Sequence, residues 1–154
     1  MEGYESLSRG ALSAIEAARR VLPLLEAGPP IKHVTPHGLA LDVPVIYDAV
    51  AVDRMHMDPA TLNPLPKGMP HPPWPGPAGA PTDEEVIEAA NRILGRLTVV
   101  PYVEYREPER AWLIPLAWGS FIVLHLRLRV EGDRVEVEPD RPLMAELRGR
   151  AGLP

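Results

Sequence analysis

The sequence predicts a single α+β domain spanning residues 1–154. Its plan is tandem α-βββ units sharing one mainly antiparallel sheet, with two helices on one face and a short C-terminal helix. Three observations carry this prediction. Two amphipathic helical segments are each followed by a run of strand-like segments, an order that favours antiparallel pairing over a doubly wound parallel sheet. The two helices match each other in sequence. Between them lies a proline belt, residues 58–81, which holds nine of the chain's 20 prolines. Proline fixes φ and lacks an amide hydrogen, so the belt is neither helix nor inner strand.

Residues 4–27 read as the first helix. Leu12, Ile15, Ala18, Val21 and Leu25 recur at helical spacing and form one apolar stripe. Pro23 should kink this helix or end its regular part, and Gly28-Pro29-Pro30 stops it. Ile31–Val34 is extended, Thr35-Pro36-His37-Gly38 has turn chemistry, and Leu39–Val43 resumes as strand. Pro44 then reads as a break or a sheet edge, and Val45–Met57 as the best strand of this half.

After the belt, Thr82 with Glu85 forms a capping box. Asp83, Glu84 and Glu85 put negative charge where the helix dipole favours it, so a second helix runs from here to about Leu97. Thr98–Arg106, Ala111–Leu116 and Ser120–Val130 follow as strands. Glu131–Arg134 is a hairpin turn, and Val135–Glu138 returns. Arg127 and Arg129 are placed to pair with Glu136 and Glu138 across that hairpin. Pro142–Arg150 reads as the terminal helix.

Ile15–Leu25 lies over Ile87–Leu97 with seven of eleven residues identical, an offset of 72. The same offset pairs Pro29 with Pro101, Pro36 with Pro108 and Leu41 with Leu113. The halves 1–57 and 82–154 are therefore read as a pseudo-repeat joined by a proline-rich crossover. Neither half, with one helix and a few short strands, has enough structure to close a core alone. The sheet face away from the helices needs cover from solvent-tolerant residues, the belt or a second subunit, so a homodimer is expected.

Composition narrows the functional classes. There is no cysteine, which removes disulfides, thiolate nucleophiles and cysteine-based metal sites. Glutamine is also absent and asparagine occurs twice, a depletion that suits a thermophile. No N-terminal stretch fits a signal peptide, and the longest apolar run, Ala111–Leu124, is broken by Pro115 and Gly119. A cytoplasmic protein without a membrane span is expected. The net charge is −5 and every basic stretch has acids nearby, which argues against nucleic acid.

No dinucleotide fingerprint, phosphate loop or nucleophile elbow is present. No cofactor and no catalytic or metal-ligating set is assigned. His33 and His37 have ligand spacing only on a helix, and Pro36 precludes one. Asp48 interrupts an apolar face, and a buried carboxylate needs a partner; a bulge that turns it outward is the simpler account. His56 and Asp58, two apart at a strand end, can point the same way, and His71 can join them. The belt offers the strongest candidate, Pro70, His71, Pro72, Pro73 and Trp74. Such a segment adopts polyproline II, which is cheap to order and docks into aromatic grooves with Trp74 as anchor. The same segment can instead strap the protein's own sheet.

The reading is a non-enzymatic protein-binding or adaptor-type protein. The alternative is a small metal-binding protein or enzyme with a site near Asp48, His56 and Asp58.

Overall fold

The computed structural model describes residues 2–36, 38–70 and 79–152. Helix α1 (Glu2–Val21) leads through a 3-10 turn (Leu22–Leu24) into strands β1 (Glu26–Ala27), β2 (Ile31–Thr35), β3 (Gly38–Tyr47) and β4 (Val50–Met57). Helix α2 (Asp83–Leu94) precedes β5 (Thr98–Val99), β6 (Glu104–Arg106), β7 (Ala111–Trp118), β8 (Phe121–Glu131) and β9 (Arg134–Val137), and α3 (Arg141–Arg150) closes the chain. All strand pairing is antiparallel, so the α+β class and the tandem arrangement are as the sequence predicts.

Local chemistry explains most element ends. Pro23 sits at the start of the 3-10 turn and terminates α1. Thr82 caps α2, its hydroxyl accepting from the Glu85 amide at 3.2 Å. Asp140 caps α3 in the same way through the Leu143 amide at 3.0 Å.

The strands of the first half differ from expectation in an instructive way. Val45–Met57 is a hairpin rather than one strand, turning at Asp48-Ala49 with φ of +48° and +67°. Pro44 does not break the ladder. Its carbonyl faces away from β4 and accepts from the Gly28 amide at 2.7 Å, in the gap between β1 and β2 where no amide donor is needed. Thr98–Arg106 is likewise two short strands, split around Pro101.

The long hairpin of the second half repeats that of the first pair for pair. Pro115 lies in β7 as Pro44 lies in β3, and its carbonyl accepts from Val100 at 3.0 Å. Each long hairpin carries one bulge, at Val52 opposite Val45/Ile46 and at Val123 opposite Leu116/Ala117. Each turns through two residues, Asp48-Ala49 and Gly119-Ser120. Along the helices and first strands the offset is 72, and along the hairpins it is 71.

The single sheet expected from sequence consists of two ladders, one with β1 and β2 on one edge of β3 and β4 on the other, the second built from β5 to β9. They meet where β4 lies beside β8. No direct ladder joins these strands; loops and a side chain splice them. At one end Glu138 N donates to Arg127 O and Asp140 N to Ala51 O, at 2.7 and 2.8 Å. At the other, Leu65 N donates to His56 O and Lys67 N to Ile122 O, at 2.7 and 2.8 Å. In the middle, buried Asp53 accepts from the His125 amide at 2.8 Å.

The helices are exchanged between the ladders. Helix α1 packs on β5, β7 and β8, whereas α2 packs on β1 and β3. The approach of α1 is close, since a Cβ on Gly10 would sit 2.8 Å from Trp112 Cζ2. It buries small residues, Ala14, Ala17 and Ala18, and rotates Leu12 out to 62 % exposure, contrary to the expected stripe. One continuous core takes in both helices and the facing sides of both ladders, with Leu41, Val43, Met55, Ile114, Leu116 and Leu126 at its centre. A smaller cluster, Ile31, Ala51 and Leu143, lies on the opposite face of the first ladder, beneath α3.

Candidate functional site

The charged groups that need explaining lie on β3 and β4. Alternation sends Leu41 and Val43 into the main core, which puts Asp42 on the face under α3. There its register partner on β4 is His56, while Arg54 stands opposite Pro44. Asp42 is 3 % exposed, and a carboxylate so buried requires compensation. His56 Nδ1 lies 2.5 Å from its Oδ1, and Arg54 Nη1 donates to its Oδ2 at 3.1 Å.

Arg54 then reaches the terminal helix. Its Nη2 donates to Glu146 Oε2 at 2.6 Å. His33 Nε2 on β2 and Arg150 Nε on α3 approach Glu146 Oε1 at 3.5 and 3.7 Å. The hydrogen bond from Arg54 holds the Glu146 carboxyl below its ordinary pKa, outweighing the opposing effect of desolvation. For Arg54, burial pulls the other way, but its bonds to Glu146 and Asp42 raise its pKa further.

A glutamate pKa depressed by folding stabilises the folded form fully above the unfolded value of about 4.3. That contribution disappears as pH falls through the lower folded value. Amides of residues 143–150 should therefore stay protected from hydrogen exchange at neutral pH and lose protection selectively below about pH 4. Uniform loss across the chain would contradict this.

A second buried acid, Asp53, is 6 % exposed and serves the splice between the ladders. Its Oδ1 accepts from Lys67 Nζ and the Arg54 amide, both at 2.8 Å, and its Oδ2 from His125 N. The His125 imidazole, half-buried, has its pKa lowered by desolvation, with Lys67, Arg127 and Arg106 adding to the effect against the pull of Asp53.

The residues singled out from sequence are dispersed. Asp48 occupies the exposed hairpin turn, where aspartate tolerates left-handed backbone. That turn, rather than a bulge, removes it from the apolar face. Asp58 shapes a loop: its Oδ1 accepts from the Ala60 amide at 2.8 Å and its carbonyl from Leu62 at 2.7 Å. His56 lies toward the other end of β4 from Asp48 and is engaged by Asp42. Pro70 is exposed. His71, Pro72, Pro73 and Trp74 lie outside the described residues, as does His37. Among the described residues no group of three or more His, Asp or Glu is set to hold a metal ion. Of the cross-strand pairs expected on the last hairpin, Arg129–Glu138 forms at 2.9 Å, while Glu136 pairs with Arg134.

Asp42, Asp53 and Lys67 were not singled out from sequence. The signal for Asp42 was a lone acid in the apolar run Leu39–Tyr47. The repeat supplies a sharper one. Residues 71 further on, Asp42, Asp53, Arg54 and His56 correspond to Leu113, Leu124, His125 and Arg127. The same hairpin is thus built in the second half with leucine at both buried acid positions. Asp42 and its partners belong to this half, not to the architecture.

Among the open clefts near the hairpin turns are one of about 310 Å³ beside Trp118 and Arg92 and one of about 400 Å³ beside Tyr47 and Arg129. Neither is lined by Asp42, Arg54 or His56. No helix among the described residues is long and apolar enough to cross a membrane. Compared with family models, curated proteins and solved structures, the chain matches none.

Proposed function

We propose that this chain is a non-enzymatic protein-binding, adaptor-type protein of the cytoplasm, acting as a homodimer, with Pro70, His71, Pro72, Pro73 and Trp74 as the docking segment. The observation that supports this is the fixed base and exposed end of the belt's described part, residues 58–70. Leu65 and Lys67 are fixed by backbone bonds at the splice, and Lys67 also by Asp53. Met69, two residues on, is 54 % exposed, and Pro70 is exposed too. Proline has little backbone freedom to lose, which lowers the entropy cost of binding. For the dimer, β2 is a sheet edge with no further strand on it among the described residues, and it carries Val34 at 89 % exposure. The interspersed charges, several already paired, and the net charge of −5 speak against nucleic acid as partner.

A second reading, a small metal-binding protein or enzyme near Asp48, His56 and Asp58, has one observation in its favour. Asp42 orients His56 as a carboxylate orients a ligating or basic imidazole. Against it, Asp48 and Asp58 are engaged in turns at opposite ends of β4.

The two readings separate on variants of the full chain. In quantitative affinity purification from the source cells, Trp74→Ala should reduce partner recovery at least about tenfold, as expected for loss of an aromatic anchor. His56→Ala should leave recovery unchanged. Loss with His56→Ala and none with Trp74→Ala would overturn the proposal.

A further inference from the structure

The terminal helix is attached differently from the rest of the fold. Its buried residue Leu143, with half-buried Met144 and Leu147, packs on Ile31, Ile46 and Ala51, in a cluster separate from the main core. Met144 Sδ accepts from the Ala51 amide at 3.2 Å. Glu146 completes the contact by filling one arm of the Arg54 fork, while Asp42 holds the other arm.

Seen from the sheet, the contact joins two features. An apolar patch sits beside a guanidinium whose orientation is fixed by a buried carboxylate, with His33 at its side. A fork so held suits a carboxylate better than a lysine would. The second ladder lacks such a site, since Leu113 and His125 stand where Asp42 and Arg54 stand in the first.

We propose that the face of β3 and β4 under α3 is a docking site for an amphipathic helix bearing a carboxylate, and that α3 is its resident occupant. The partner is a protein helix with apolar residues at the spacing of Leu143, Met144 and Leu147 and an acid at that of Glu146. It binds by displacing α3, in the helix-in-groove mode. Charge complementarity selects it, because Arg54 and His33 face the incoming carboxylate. The inference does not rest on Pro70–Trp74 as a docking segment.

The test uses the full chain and a fluorescent peptide of residues 139–152 as probe. Leu143→Asp unseats the resident helix and leaves the main core intact; Glu146→Arg does so by facing Arg54 with a like charge. In fluorescence anisotropy, either variant should bind the probe at least about tenfold more tightly than wild type. Adding Arg54→Ala, or using a Glu146→Gln probe, should weaken that binding about tenfold. Folding of each variant is checked by its cooperative unfolding transition. The proposal is overturned if both folded variants fail to bind the probe, or if binding is indifferent to Arg54. It is also overturned, in favour of a second copy as occupant, if wild type forms a dimer that Leu143→Asp abolishes.

Discussion

Asp53→Ala should lower the free energy of unfolding by about 3–5 kcal/mol, the scale for removing one member of a buried ion pair. The side chain is 8 % exposed and satisfies three donors, Lys67 Nζ, His125 N and Arg54 N. Truncation takes the acceptor from the His125 and Arg54 amides and leaves the partly buried Lys67 ammonium with the Arg54 carbonyl, and these costs add to the lost attraction. The site also matters by position. Asp53 joins β8 to β4 midway between the two loop splices. Urea unfolding should show a lower midpoint with an unchanged m-value, since the same surface is exposed. For a chain of this length the melting temperature should fall by about 10 °C. Asp53→Asn should cost less, because one acceptor oxygen remains. A loss below about 1 kcal/mol for Asp53→Ala would mean that the splice rests on the loops alone.

Asp42→Ala should cost about 2–4 kcal/mol, because Arg54 and His56 lose their shared carboxylate. Exposure of these two side chains, 25 and 22 %, lets water recover part of the loss. The internal repeat supplies the rescue. Asp42→Leu with Arg54→His and His56→Arg reproduces Leu113, His125 and Arg127 on the first hairpin. Buried ionic groups replaced by well-packed apolar ones are often neutral in stability. The triple variant should return to within about 1 kcal/mol of wild type in the same urea titration. Recovery would show that the fold does not need the Asp42 cluster; a triple variant as damaged as Asp42→Ala would make the cluster structural.

How much of this was legible in the sequence depended on the range of the interaction. The cap at Thr82, the stop at Pro23 and the hairpin at Gly132 are local, and local chemistry announces them. The turn at Asp48-Ala49 was hidden for a physical reason. A two-residue turn leaves the period-2 alternation almost undisturbed, and no glycine marks it. Pro44 misled because a proline is damaging only where its missing amide would face a partner strand, and here it faces a gap. The repeat was visible in the helices and faded in the strands because the offset slips from 72 to 71. Had the slip been followed, Pro44 would have aligned with Pro115, and Asp42 with Leu113. The exchange of α1 and α2 between ladders left no local trace. It is fixed by contacts such as Gly10 on Trp112, about a hundred residues apart.

The candidate site was half legible. His56 was identified, but its expected companions were its sequence neighbours. Its actual partner, Asp42, comes from the adjacent strand through a register that only the turn position determines. The splice was still less accessible, because Lys67 sits in a belt whose prolines drew attention away from it.

We propose a binding protein rather than a catalyst built around His56. Native mass spectrometry of the purified full chain, paired with elemental analysis of the same sample, tests it most directly. The expected result is a homodimer with no stoichiometric metal, and the same mass state and metal content for His56→Ala. A metal present at one per chain and lost in His56→Ala would contradict it.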